Sequence, residues 1–257
     1  MDENTKIWID EIIKTMKNNK KLIEYYEYNN NMFRDINNII MLSTFTNSPY
    51  TIIDSSNLNI VKNKLNEVDL KKKTNKMEDI AIQTLNDLMD KVNNTIDIVI
   101  IISFILEDIL DTNSEIKEII EYFNNKLSEE KSKKSEDESK KIDETTKILI
   151  EATIHEMKNN KKTKKHYNHN NKIFRMFNNI LIFSLFMPRY KKDIDNIQKQ
   201  FTDIAMQTFQ DLINKDEDII DIFVILFFVV GSILDTNPKL KEMSDYFDKK
   251  LKEEGLI

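Results

Sequence analysis

The chain contains one long segment twice. The sequence DILDTNSEIKEIIEYF at residues 108–123 returns 124 positions later as SILDTNPKLKEMSDYF at 232–247. Nearer the start, DENTKI at residues 2–7 returns 141 positions later as DETTKI at 143–148. Because this spacing is far longer than the unit of a solenoid repeat, we interpret the pattern as a tandem duplication of one domain.

The change of offset from 141 to 124 means that the first copy carries 17 extra residues, between positions 50 and 77. This insert is polar and is expected to form a loop or a short extra helix. The stretch between the copies consists of charged residues and Ser with nothing apolar to bury, which is typical of a solvated linker. We therefore predict a helical domain at 1–128, a charged linker at 129–141 and a second helical domain at 142–257.

The scarcity of Gly and Pro indicates the fold class. The 257 residues include only 2 Gly and 3 Pro, whereas sheets and tight hairpins depend on turn-forming residues. Hydrophobic residues make up 40% of the chain, which is enough for a packed core. We therefore predict an all-α fold in which each copy has about five helices, one of them a central apolar helix.

Periodicity and capping residues predict the individual helices. In the first copy, apolar residues at helical spacing predict helices at about 5–28 and 31–45. A third helix is expected to begin near Asn75, an N-cap residue with Glu three positions later. The fourth is the apolar segment TIDIVIIISFILEDIL, and the fifth follows the repeated DTN. In the second copy that start has Asn237 as N-cap and Pro238 at the first helical position.

The most apolar segment, residues 219–234, raises the alternative of a membrane span. A span needs about 20 predominantly apolar residues. The unbroken run here covers only 222–230, with Asp221 before it and Asp235 after it. A carboxylate near the centre of a bilayer costs several kcal/mol. The favoured interpretation is therefore a helix buried inside the protein.

Several classes of activity lack their usual sequence signals. The chain has no Cys, which excludes disulfides, thiolate zinc sites and a cysteine nucleophile. It also lacks a Gly-rich phosphate loop and the GxSxG and HExxH motifs. His166 and His169 are three residues apart, but no nearby acid or Cys completes a metal site. We expect no cofactor and no metal, and we predict that the chain is not an enzyme.

Charge and composition bear on partners and location. The net charge of −6 argues against nucleic acid as a partner. The basic stretch at 161–172 is interpreted as a solvated helical face. The acidic N-terminus has no apolar signal-peptide core, and the absence of Cys fits an intracellular protein. Abundant Asn, Lys and Ile, whose codons are A/T-rich, suggest an A/T-rich genome such as that of a virus or parasite.

A polar stripe recurs in both copies. Steps of three and four residues place a Tyr, two Asn and an Arg on one helical face in each copy. These side chains can satisfy buried groups within the protein, or they can face a ligand or a partner. The residues are Tyr26, Asn30, Arg34 and Asn38 in the first copy, where Asn37 adjoins Asn38, and Tyr167, Asn171, Arg175 and Asn179 in the second, where Asn178 adjoins Asn179.

The two recurring Arg residues are conspicuous because the chain has only three Arg among 38 basic residues. An Arg guanidinium offers a planar fork of donors that Lys cannot imitate. We predict intradomain ion pairs of Arg34 with Asp97 and of Arg175 with Asp221, since an acid recurs at the start of each apolar helix. The competing interpretation is that the Arg residues bind a carboxylate or phosphate.

These observations favour a non-enzymatic protein-interaction or structural protein, such as a scaffold, virion or host-factor-binding component. A duplicated domain offers two similar surfaces, which suits bivalent binding or self-association. The alternative is a membrane-associated protein whose apolar helices insert or oligomerise. A third hypothesis, an enzyme with a carboxylate or Asn/Tyr site, would need a deep polar pocket between helices.

Overall fold

Ten helices form nearly all of the described chain, as the all-α prediction requires. The computed structural model describes residues 1–46, 52–54, 59–61, 67–92, 94–128, 142–188, 194–216 and 218–256. The first half holds helices α1 (Glu3–Lys17), α2 (Lys20–Thr46), α3 (Glu67–Lys91), α4 (Thr95–Thr112) and α5 (Ser114–Ser128). The second holds α6 (Glu144–Asn159), α7 (Lys161–Phe186), α8 (Ile194–Lys215), α9 (Ile219–Thr236) and α10 (Pro238–Glu253).

Side-chain caps fix several helix starts at repeated positions. The carboxylate of Asp2 accepts a hydrogen bond from the Thr5 amide at 2.8 Å, and Asp143 accepts one from the Thr146 amide at 3.0 Å. An acceptor at this position satisfies one of the unpaired N–H groups in the first turn of a helix. The repeated DENTKI and DETTKI segments are therefore helix starts, for α1 and α6 respectively.

Two predicted helix boundaries in the first half are wrong. The helix predicted at 5–28 breaks after Lys17, because the Asn18 side chain bonds back to the Lys14 carbonyl and the Asn19 side chain accepts from the Lys21 amide. A long α2 then runs through the boundary expected near residue 30. Helix α3 starts at Glu67, so Asn75 lies inside the helix and is not its N-cap.

The insert between positions 50 and 77 also differs from its prediction. Its described backbone includes strands β1 (Ile52–Asp54) and β2 (Asn59–Val61), which pair antiparallel, followed by the first turns of α3. The expectation of a loop or short extra helix is wrong for these six strand residues. The predicted linker at 129–141 lies outside the described residues.

Helices of the two halves are interleaved around one hydrophobic core. The contact between α2 and α7 is the most extensive between any two described helices. Helix α3 of the first half packs on the apolar α9 of the second, and α8 packs in the same way on the apolar α4. At the ends, α1 packs on α10 and α6 packs on α5. Each half therefore supplies the amphipathic helices that cover the apolar helix of the other.

Candidate functional site

A network of Tyr and Asn side chains joins α2 to α7. The Tyr26 hydroxyl donates to Asn179 Oδ1 at 3.0 Å, and the Asn178 amide donates to the Tyr26 carbonyl at 3.0 Å. The Asn29 amide donates to Asn178 Oδ1 at 3.2 Å. The side chains of Asn29, Asn178 and Asn179 are almost completely buried. An amide in such a place stabilises the fold only when its hydrogen bonds are made, and here they cross between the halves.

The same hydrogen bonds recur with the helices exchanged. Residues 141 positions apart along α2 and α7 are called equivalent below. The Tyr167 hydroxyl donates to Asn38 Oδ1 at 3.2 Å, and the Asn37 amide donates to the Tyr167 carbonyl at 3.1 Å. Asn170 donates to Asn37 Oδ1 at 3.1 Å. The complete set, called the Tyr–Asn lattice, is Tyr26, Asn29, Asn30, Asn37 and Asn38 with Tyr167, Asn170, Asn171, Asn178 and Asn179.

Six of the eight predicted stripe residues belong to this lattice. The structure brings them together between α2 and α7. The two Tyr hydroxyls donate to Asn179 and Asn38, and the Oδ1 atoms of Asn30 and Asn171 accept from lattice amides. Burial raises the pKa of the Tyr26 phenol, so this hydroxyl keeps its proton and its donor role at neutral pH. Sequence reasoning missed Asn29 and Asn170, although the pair could have been found from its offset of 141.

The two Arg residues of the stripe lie at its exposed edge, and the predicted ion pairs have different partners. Arg34 approaches Asp35, with 4.0 Å between Nε and Oδ1, and Arg175 approaches Asp248, with 3.7 Å between Nη1 and Oδ2. The predicted pairing of Arg175 with Asp221 is wrong, because the Asp221 carboxylate binds another cation. The pairing of Arg34 with Asp97 is wrong as well, since Arg34 is directed to its own helix neighbour.

Asp221 is held by the opposite half. Its Oδ2 lies 2.7 Å from the Lys73 ammonium on α3, and its side chain is only 3% exposed. Burial raises the pKa of this carboxyl, and the Lys73 charge opposes the shift. Asp97, the corresponding acid at the start of α4, is completely buried. Both acids therefore sit where an apolar helix enters the core.

An open groove runs along the α2–α7 contact. Its volume is about 480 Å³, and it lies beside the exposed edge of the Tyr–Asn lattice. Phe33 and its equivalent Phe174 stack beside it, with ring centroids 5.5 Å apart and planes 12° from parallel. The lining residues are Tyr26, Asn30, Asn31, Phe33, Arg34, Asn171, Phe174, Arg175 and Lys252. We call this the α2–α7 groove.

Helices α3 and α8 each expose large apolar side chains. Ile82 and Met89 on α3 are 57% and 58% exposed, and Met206 on α8 is 64% exposed. Each helix has apolar residues at steps of three and four, and the two sets are 124 positions apart. Sequence reasoning missed these residues, although that offset and spacing are visible in the sequence. The α3 stripe is Ile82, Leu85 and Met89, and the α8 stripe is Met206, Phe209 and Ile213. Leu85, Phe209 and Ile213 are partly buried against the core, so the exposed part of the α8 stripe is Met206.

Acidic and His side chains bear on metal binding, and the apolar helices bear on membrane insertion. Within the described ranges, no three His, Cys, Asp or Glu residues are grouped as a metal site would require. One described helix, α9, is long and apolar enough to cross a membrane by length and composition, with a mean hydropathy of 2.3. In the structure 56% of that helix is buried.

Comparison with protein-family models, with curated proteins and with solved structures finds no match for the chain. The geometry of the chain itself is therefore the basis for a functional proposal.

Proposed function

We propose that this chain is a non-enzymatic protein-interaction protein, built from two duplicated helical units that form a covalently linked pseudo-dimer. Support comes from hydrogen bonds that recur when the halves are exchanged. Tyr246 bonds Asp10 at 3.2 Å, and Tyr122, at the corresponding position in the first half, bonds Glu151 at 2.8 Å. Two identical chains related by a two-fold axis would make such reciprocal contacts. The duplication places that symmetry inside one chain.

The observation that carries this proposal is the pair of apolar stripes on α3 and α8. A helix that offers apolar side chains at steps of three and four can dock into a groove of a partner or receive a partner helix. The α8 stripe repeats the α3 stripe 124 residues later in the chain. A partner with two copies of its binding element can therefore engage both stripes. Bivalent engagement strengthens binding by 10²–10⁴-fold or so without any new contact.

Affinity purification of the tagged full-length chain tests the stripes. The double variant I82E/M206E places a charge in both stripes, and each single variant leaves one stripe intact. The control Q83E/Q207E adds the same charge at exposed neighbouring positions of the same helices. We expect a partner that is retained by the wild type and the control, weakened by each single variant and lost with the double variant. Identical recoveries from all variants would reject the stripes as the binding surface.

Membrane association through α9 is the second candidate, favoured by the hydropathy and partial burial of that helix. Insertion would require α3 to leave α9 and the ion pair of Lys73 with Asp221 to break. Protonation of Asp221 removes a charge that the centre of a bilayer would exclude, so acid favours the inserted form of α9. Flotation with anionic liposomes at pH 7.4 and pH 5 tests this candidate. Protein that stays unbound at both pH values rejects it.

A further inference from the structure

The lining of the α2–α7 groove carries positive charge, although the protein as a whole is acidic. Three of its described lining side chains are cationic, Arg34, Arg175 and Lys252, and none of the described lining residues is Asp or Glu. The nearest carboxylates, Asp35 and Asp248, lie beside the two Arg residues and outside that lining. The chain as a whole has a formal net charge of −6. A local concentration of positive charge in an acidic protein attracts an anion to that place rather than to the surface in general.

The Tyr–Asn lattice also determines which polar atoms a ligand in the groove would meet. Asn178 donates to Asn30 Oδ1 at 2.9 Å, and Asn37 donates to Asn171 Oδ1 at 2.7 Å. The oxygen atoms of Asn30 and Asn171 are thereby engaged as acceptors inside the lattice. One N–H of each amide faces a Tyr hydroxyl, Asn30 toward Tyr26 and Asn171 toward Tyr167, and the second N–H is what each amide offers to a ligand. Hydrogen-bond donors therefore recur on both walls of the groove.

The two guanidinium groups retain most of their donors. Among the described residues, each contacts one carboxylate at 3.7–4.0 Å, which is the outer limit of an ion pair. A guanidinium has five N–H donors in a planar fork, and a carboxylate or phosphate normally takes two of them side by side. Their side chains are 52% and 40% exposed, so a ligand can reach both. Arg34 and Arg175 also occupy equivalent positions, one on each wall.

We propose that the α2–α7 groove binds a small molecule with two acidic groups, called a bis-anion below, with one phosphate or carboxylate group held by Arg34 and the other by Arg175. The groove volume of about 480 Å³ suits a small molecule rather than a folded partner. Phe33 and Phe174 form the apolar part of the groove lining, and both rings are almost completely buried. This site is separate from the α3 and α8 stripes, so the proposal does not depend on the proposed protein partner.

Isothermal titration of the full-length chain with inorganic pyrophosphate and, separately, with glutarate tests the site and distinguishes phosphate from carboxylate chemistry. The decisive variant is R34K/R175K, which keeps the charge of the groove and removes both planar forks. We expect its affinity for the preferred bis-anion to fall by about tenfold or more, because Lys cannot replace a bidentate Arg contact. Lys252→Gln should weaken binding by a smaller factor.

The control variant K21Q/K162Q removes two exposed charges at equivalent positions of α2 and α7 outside the groove lining. It should bind as the wild type does, and thermal melting should show that all variants remain folded. Equal affinity of R34K/R175K and wild type would overturn the proposal, because binding would then reflect general charge. Failure of both pyrophosphate and glutarate to bind at millimolar concentration would overturn it as well.

Discussion

The side-chain amide of Asn178 donates a hydrogen bond to the main-chain carbonyl of Tyr26, 3.0 Å away and 152 positions earlier in the chain. Its equivalent, Asn37, donates to the carbonyl of Tyr167 at 3.1 Å. A carbonyl oxygen has two lone pairs, so it can accept this bond in addition to the one within its own helix. Buried amides of each half therefore bind the backbone of the other.

The Asn178→Ala variant should lower the free energy of unfolding by about 1–3 kcal/mol, because Asn30 and the Tyr26 carbonyl lose a donor in a buried place. Asn168→Ala, at an exposed position of the same helix, is the matched control and should change it by less than about 0.5 kcal/mol. Urea denaturation followed by circular dichroism measures both. Equal effects of the two substitutions would mean that the lattice does not stabilise the fold.

A fragment comprising residues 1–128 should form a homodimer. In the whole chain α8 covers α4, so α4 of a monomeric fragment would be left uncovered. Helix α2 contains both a Tyr donor, Tyr26, and the matching Asn acceptor, Asn38. Tyr26 of one copy can then bond Asn38 of the other, as Tyr167 bonds Asn38 here. Light scattering should give twice the fragment mass, with helical circular dichroism. A folded monomeric fragment would show that the half is autonomous.

The helices could be predicted from the sequence because their signals are local. Asn237 and Pro238 mark the start of α10, and the scarcity of Gly and Pro leaves few places for turns. The break between α1 and α2 was missed since helical periodicity continues through Asn18 and Asn19. Their side chains cap the two helix ends, and Asn at an exposed position gives no sign of which role it has.

The partners of the polar residues could not be predicted, because the repeat shows which residues correspond but not which half they contact. Arg175 was assigned to Asp221 on the assumption that each copy folds on itself. In the structure Asp221 bonds Lys73 of the other half, and Arg175 lies beside Asp248. Two separate domains and two interleaved ones bury the same apolar faces, so hydrophobic patterning cannot distinguish them.

Asp221 should make the stability of the protein depend on pH. Its folded-state pKa is raised by burial. Its contribution to stability is therefore complete below the unfolded-state pKa of about 4 and is lost as the pH rises through the folded-state pKa. Asp221→Asn cannot titrate. The free energy of unfolding of the wild type, relative to the variant, should be larger at pH 5 than at pH 7. The opposite slope would mean that Lys73 outweighs burial and lowers the pKa.

The interleaving of the two halves is tested most directly by a substitution in one half that is observed from the other. Phe223 on α9 is completely buried, and Phe223→Ala should cost about 3–5 kcal/mol. Trp8, the only Trp, lies on α1 in the first half. We predict that Trp8 fluorescence and circular dichroism of the variant show one coincident urea transition, moved to lower urea concentration. A Trp8 transition that keeps its wild-type midpoint while circular dichroism shows a second, earlier step would contradict the interleaved fold.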